Sequence, residues 1–235
     1  MSQTHSLVAV VPAAGVGSRM QADRPKQYLS IDNKTVLEHT VDKLLSHPEI
    51  KKVIVAVSEG DPFFPTLSLA NHPDVIRVAG GLERADSVLS ALNYLSEKQD
   101  FEWVLVHDAA RPCVKLESIN ELIETATGHE VGAILASPVR DTMKRSTKDD
   151  HIDHTVERSN LWHALTPQMF KVNQLKRLLE EALFSGISIT DEASAFEWKG
   201  MHPAIVNGEA SNIKITQPED LALAEFYLKR EKETA

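Results

Sequence analysis

Residues 7–11 form an unbroken apolar, largely β-branched run that stops at Pro12, the pattern of a strand buried on both faces. Residues 51–57, 75–78, 103–106 and 132–136 repeat it. Between these runs the apolar positions shift to helical spacing: Val36, Val41, Leu44 and Leu45, then Ala85, Val88, Leu89, Leu92 and Leu95, then Ile119, Leu122, Ile123 and Ala126. Strands alternating with amphipathic helices predict an α/β fold, a mainly parallel sheet with helices on both faces.

The alternation stops after Pro138. Residues 141–145 and 152–156 read as two short strands around the polar turn 146–151, too poor in apolar side chains to join a core. The stretch 138–160 is therefore expected to protrude as a β-hairpin arm. A lone two-stranded hairpin is marginal in water, so the arm needs a partner surface, and a second copy of the chain is the obvious one. From residue 161 the core pattern returns, with a helix carrying Val172, Leu175, Leu178, Leu179, Ala182 and Leu183 and a short segment at 191–198. Two short strands at 204–206 and 212–215 precede a last helix opened by Pro218, Glu219 and Asp220. Neither a repeat nor a linker divides the 235 residues, which predicts one domain over 1–235.

Composition narrows the partners. At 42% hydrophobic and 25% charged residues, the chain has an ordinary globular balance. Its 25 Lys and Arg against 34 Asp and Glu leave a formal net charge of −9. That argues against nucleic acid or an anionic membrane as partner, and any anionic ligand needs a local basic site. The longest apolar run, residues 7–16, is ten residues long, includes Pro12 and Gly15, and follows no basic segment, which fits neither a membrane span nor a signal peptide. The single cysteine, Cys113, can form no internal disulfide and no Cys-based metal site, so a reducing, cytoplasmic setting is expected.

Three segments could carry chemistry. The loop 12–20 sets Gly15 and Gly17 among small residues at the carboxyl end of a strand, where backbone N–H groups can approach a phosphate chain. It lacks the third glycine of a dinucleotide fingerprint and the Gly-Lys-Ser/Thr ending of a Walker loop, and it reads equally as a tight strand-to-helix turn. Arg19, Arg24 and Lys26 follow as a basic cluster, able to stabilise charge developing on a phosphoryl group or simply to form a solvated face. His107-Asp108-Ala109-Ala110-Arg111-Pro112 again follows a strand, and Asp108 could hold Mg²⁺ together with phosphates, or cap the next element. Other signals carry less. Tyr94 and Lys98 have dehydrogenase spacing but no glycine fingerprint; His151, Asp153 and His154 suit a polar hairpin tip; Cys113 reads as a small buried residue. No nucleophile paired with a base stands out.

Seven motifs in order resemble one family. Pro12 to Met20 with Pro25-Lys26-Gln27-Tyr28-Leu29, Gly80-Gly81 with Arg84, Ser87 and Val88, His107 to Pro112, Pro138-Val139 with Asp141, Thr142 and Lys144, Thr166-Pro167-Gln168, Thr190 to Ser194 and Asn212 to Thr216 are similar to 2-C-methyl-D-erythritol 4-phosphate cytidylyltransferases over about residues 7–228. The resemblance implies a Rossmann-like nucleotidyltransferase fold, CTP and methylerythritol phosphate as substrates, a Mg²⁺ requirement and a homodimer formed through the 138–160 arm. It implies direct in-line attack of a phosphate oxygen on the α-phosphorus, consistent with the missing nucleophile. Carried over residue by residue, Arg19 and Lys26 stabilise the transition state, and Ala13, Ala14 and Gly15 lie along the nucleotide. Gly81 and Ser87 meet base and ribose, with Arg84 supporting their loop, while Asp108 orients Mg²⁺ and substrate. Arg111, Thr166 and Lys214 meet the acceptor, with Thr142 and Arg158 reaching it from the partner. Leu82 departs from a polar residue of some relatives and is left out of the site. Ribitol phosphate cytidylyltransferases, and a non-catalytic nucleotide sensor, are the alternatives kept open. A dehydrogenase would need the missing fingerprint.

Overall fold

The computed structural model describes residues 6–15, 24–98 and 100–234. Strand β1 (Leu7–Pro12) is followed by a small hairpin, β2 (Ser30–Ile31) and β3 (Lys34–Thr35), which turns at Asp32 with φ of 52°. Helix α1 (Val36–Leu45) starts at Thr35, whose hydroxyl accepts the Glu38 N–H while the Glu38 carboxylate accepts the Thr35 N–H, a reciprocal cap. Then come β4 (Ile50–Val57), β5 (Val75–Ala79), α2 (Arg84–Lys98), β6 (Trp103–Val106), α3 (Leu116–Gly128) and β7 (Ala133–Pro138). The arm strands are β8 (Met143–Ser146) and β9 (Ile152–Val156). Strand β10 (Trp162–Lys171), helices α4 (Val172–Phe184) and α5 (Glu192–Trp198), strand β11 (Ala204–Asn207) and helix α6 (Pro218–Thr234) complete the order.

Seven strands form one sheet in the order β11-β7-β10-β6-β1-β4-β5, with β10 antiparallel to both neighbours and the other pairings parallel. The period-2 alternation of each strand divides the core between two faces. Leu7, Ala9 and Val11 of β1, with Val53 and Val55 of β4 and Leu105 of β6, pack on one face against Leu37, Val41 and Leu44 of α1 and Ile119 and Leu122 of α3. Val8, Val10, Ile54, Val104 and Val106 pack on the other, against Val88 and Leu92 of α2, Leu175 and Leu179 of α4 and Phe196 of α5. Each such side chain, fully buried, contributes about 1.5–3 kcal/mol, so a sheet apolar on both sides holds both helix layers. A third, smaller cluster joins α6 to the rest, through Ala224 and Leu228 against Ile31, Val36, Cys113 and Ile215.

Two expectations change. The strand anticipated at 212–215 is irregular, because its backbone bonds elsewhere: Ile215 N–H donates to the Ala110 carbonyl, and the Asn212 carbonyl accepts from the Arg111 side chain. The ten-residue β10 lies where the sequence showed only a return of the core, and the 191–198 segment is helical from Glu192. The arm stands apart from the main sheet as its own two-stranded ladder, with most of its residues exposed. Among the described residues, no helix is long and apolar enough to cross a membrane.

From β1 the main sheet grows outward through β4 and β5, and the chain then returns to β6 on the other side of β1. Open α/β sheets collect ligands at the carboxyl ends of strands around such a reversal. Residues 13–15, 80–81 and 107–111 emerge there.

Candidate active site

The loops after β1 and β5 are packed tightly against each other. A Cβ on Gly80 would fall 2.5 Å from the Ala14 Cβ, and one on Gly81 2.2 Å from the Asp86 Cβ, so neither position tolerates a side chain without displacing the loop. Ser87 fixes the turn from below, its hydroxyl accepting the Gly81 N–H at 3.1 Å and donating to the Glu83 carbonyl at 3.2 Å. It is 1% exposed and is not among the residues that line either hollow. Ala13 lines the cleft as expected of its loop, with its N–H donating to the Ala56 carbonyl at 2.8 Å. Gln27 and Ser58 hold the first loop from behind, Gln27 Nε2 donating to the carbonyls of Ala13 and Gly15 at 2.7 and 3.1 Å and Ser58 Oγ to that of Ala14 at 3.0 Å.

These loops wall a cleft that Lys26, Arg84, Asp108 and Lys214 also line. A second hollow adjoins it, lined by Arg111, Thr166, Gln168, Thr190 and Asp191, and shares Arg84, Asp108 and Lys214 with the first. Asp108 is the hub. Its Oδ1 accepts from Arg84 Nε at 3.0 Å, and its Oδ2 meets Lys214 Nζ at 2.9 Å and Arg111 Nε at 3.4 Å. Burial pushes this carboxyl up, but the cations of Arg84, Lys214 and Arg111 outweigh burial and hold it well below the usual carboxylate range. Arg84 is gripped from its far side by Glu192, whose two oxygens accept from Nη1 and Nη2 at 2.6 and 3.0 Å. Burial pulls the Arg84 guanidinium down, and Glu192 and Asp108 together raise it above its ordinary value, so it stays charged. Lys26 donates from Nζ to the Ile215 carbonyl at 2.9 Å, which ties it to the 212–216 segment.

A chain of net charge −9 thus gathers Lys26, Arg84, Arg111 and Lys214 around two carboxylates. Such a seam suits two phosphorylated ligands side by side. The Cys113 thiol, pushed up to about 12 by burial and by nearby Glu231, is no nucleophile.

A Mg²⁺ ion on Asp108 does not fit this arrangement. Both carboxylate oxygens already face cationic side chains, and a divalent cation there would add like charge to three neighbours. Among the described residues, no group of three or more His, Cys, Asp and Glu side chains is placed to hold a metal.

Of the residues expected from sequence, Ala13, Ala14, Gly15, Lys26, Gly81, Asp108, Arg111, Thr166 and Lys214 converge on the two hollows. Arg19 lies outside the described residues. Arg24 turns away, its guanidinium 5.9 Å from the centre of the Phe63 ring. Thr142 and Arg158 are exposed on the arm and line neither hollow; Arg158 donates to the Arg140 carbonyl. Leu82, left out on sequence, stands fully exposed at the mouth of the cleft. Sequence reasoning missed Gln27 and Glu192, although both fall inside the quoted motifs. Their only signal was a polar residue held within an otherwise matching segment.

The profile of the 2-C-methyl-D-erythritol 4-phosphate cytidylyltransferase family matches residues 7–230. The chain is 71% identical over 227 residues to the enzyme of that name from Vibrio parahaemolyticus serotype O3:K6, covering 97% of each. It is 65% identical over 232 residues to that from Vibrio atlanticus, covering 99% of each. A solved structure of the Francisella tularensis 2-C-methyl-D-erythritol 4-phosphate cytidylyltransferase superposes with a TM-score of 0.83 at 36% identity, covering 94% of this chain and 99% of that one.

Proposed function

The chain belongs to the 2-C-methyl-D-erythritol 4-phosphate cytidylyltransferase family, and on that premise we propose how its two hollows divide the family's reaction. It is a nucleotidyltransferase that moves the cytidylyl group of CTP onto 2-C-methyl-D-erythritol 4-phosphate in isoprenoid precursor synthesis. Identity at this level sets aside the ribitol phosphate and sensor alternatives.

In our reading CTP occupies the cleft beside Ala13, Ala14, Gly15 and Gly81, and the acceptor occupies the adjoining hollow beside Arg111, Thr166 and Lys214. The observation that carries this assignment is the cationic seam of Arg84, Asp108 and Lys214 shared by the two hollows. An acceptor phosphate oxygen attacks the α-phosphorus in line; its bond to phosphorus forms as the bridging bond to the β-phosphate breaks, and pyrophosphate leaves. Lys26 and Arg19 stabilise the negative charge that spreads over the equatorial oxygens, where a preorganised cation gains most. Asp108 holds Arg84, Arg111 and Lys214 together against their mutual repulsion.

Mg²⁺ is required in this proposal and arrives on the triphosphate, its ordinary mode of binding with phosphate oxygens and water, with no site of its own on Asp108. The arm pairs with a second copy, so that Thr142 and Arg158 of one subunit approach the acceptor hollow of the other; the exposure of the arm and its separation from the main sheet support this. One domain built on the continuous seven-stranded sheet, working in the cytoplasm, completes the reading. Pyrophosphate release with CTP and Mg²⁺ is the test, comparing methylerythritol phosphate, ribitol phosphate and no acceptor, with the nucleotide product weighed by mass spectrometry. Release with methylerythritol phosphate alone is expected. Release favouring ribitol phosphate would overturn the acceptor assignment.

A further inference from the structure

His107 is fully buried behind the acceptor hollow, and the reaction just described gives it no part. Its ring is held at both nitrogens: Nε2 lies 2.9 Å from the Arg111 carbonyl oxygen, and Nδ1 lies 2.9 Å from Thr166 Oγ1. A carbonyl oxygen only accepts, so Nε2 carries the proton. Burial pushes the imidazole down to about 4, so at neutral pH the ring has one proton and Nδ1 is a bare acceptor. The Thr166 hydroxyl therefore donates to Nδ1. The same oxygen accepts the Asp108 backbone N–H at 3.0 Å. A hydroxyl has one proton and two lone pairs, and here the proton and one lone pair are already used.

We propose that His107 is a positioning residue: by taking the Thr166 hydroxyl proton it leaves that oxygen one open lone pair toward the hollow, so that Thr166 receives a hydroxyl group of the acceptor and not its phosphate. The inference rests on placing the acceptor beside Thr166, as above. An ionised phosphate oxygen only accepts and would meet a lone pair there, whereas a polyol hydroxyl can donate. Recognition in the hollow then divides between Arg111 and Lys214, which take the phosphate, and Thr166, which reads the carbon chain.

Long-range proton–nitrogen correlation of the His107 ring in the full-length protein at neutral pH, with the signal identified by its loss in His107→Phe or, should that variant not fold, in His107→Gln, reads the tautomer independently of activity. A protonated Nε2 with a bare Nδ1 is expected; a protonated Nδ1 overturns the proposal. Kinetics test the consequence. Thr166→Val and His107→Phe are each expected to raise the acceptor KM about tenfold, the worth of one neutral hydrogen bond, with the KM for CTP changed less than about twofold. The double variant is expected to be no worse than either single one, because both remove the same contact. An unchanged acceptor KM in Thr166→Val removes the acceptor from that hollow and with it the underlying assignment. A raised KM in Thr166→Val that His107→Phe does not share, or effects that add, overturns the role of His107 alone.

Discussion

Replacing Arg84 with Met isolates the element on which the two hollows turn. Glu192 is 1% exposed and loses both hydrogen bonds of the fork, at 2.6 and 3.0 Å, while Asp108 keeps Lys214 and Arg111. The cost therefore falls mainly on one buried carboxylate left without its cation, for which about 3–5 kcal/mol is usual. The Arg84 side chain is 27% exposed, so water can enter the vacated space, which places the loss near the lower end, about 3 kcal/mol. For a chain of 235 residues that corresponds to a fall in thermal midpoint of about 6–12 °C. The pH dependence follows from Asp108, whose carboxyl is depressed in the folded protein, so its contribution is complete above the ordinary carboxylate range and fades as pH falls through and below it. Arg84 is the largest of the cations that depress it, so the gap between wild type and variant is widest at neutral pH and narrows below about pH 4. Urea unfolding at pH 7 and at pH 3.5 measures it, with Arg84→Met/Glu192→Leu as the companion, since an apolar pair of similar bulk recovers most of the loss. A loss under about 1 kcal/mol at pH 7, or a double variant no more stable than the single one, refutes the reasoning.

Lys26→Ala is expected to lower kcat by about 10²–10³ while moving the thermal midpoint by less than about 4 °C, since it removes transition-state charge and one hydrogen bond to Ile215; an undiminished kcat takes Lys26 out of the chemistry. Chelation with EDTA is expected to abolish pyrophosphate release, with recovery on adding Mg²⁺, and to leave the unfolding midpoint unchanged; a lowered midpoint would reveal an ion built into the fold. Arg158→Ala is expected to raise the acceptor KM more than that for CTP. Mixing it with Lys26→Ala restores about a quarter of wild-type activity if arms serve partner sites, because half of randomly mixed dimers are heterodimers with one intact site each; no recovery in verified heterodimers defeats the shared site.

The parallel part of the sheet was legible because strands buried on both faces must be apolar along their buried length, and β1, β6 and residues 53–57 of β4 are. Strand β10 was not, because Pro167 breaks its pattern and a proline ordinarily demotes a run from a sheet interior. The structure reconciles the two by interrupting the ladder with β7 between Ala164 and Gln168, which puts Pro167 where no ladder bond is needed. The same interruption lets the Thr166 hydroxyl accept from Asp108. Segment 212–215 misled in the opposite sense: Ile213 and Ile215 alternate like strand residues, yet the segment's backbone bonds serve Ala110 and Arg111. The motifs pick out loops that converge on the two hollows but not the direction of each side chain. Ser87 and Asp108 are equally polar in sequence, and only the packing decides that Ser87 braces a glycine turn while Asp108 gathers cations.

That distinction bears on how an acidic chain can manage anionic substrates at all. Four cations crowded around two adjoining hollows would repel one another and lower the stability of the folded state, and the buried carboxylates of Asp108 and Glu192 offset part of that repulsion. Asp108, which lines both hollows, and the buried Glu192 hold Arg84 from two sides, so they neutralise part of the charge while leaving the four cations in excess. Removing either acid would not simply make the site more positive. It would release Arg84 from one of its two anchors, and Arg84 is one of the side chains that the two adjoining hollows share. Charge balance and the shape of the wall shared by the two hollows are therefore one device here, carried by a single arginine held between an acid on the β6 side and an acid at the start of α5.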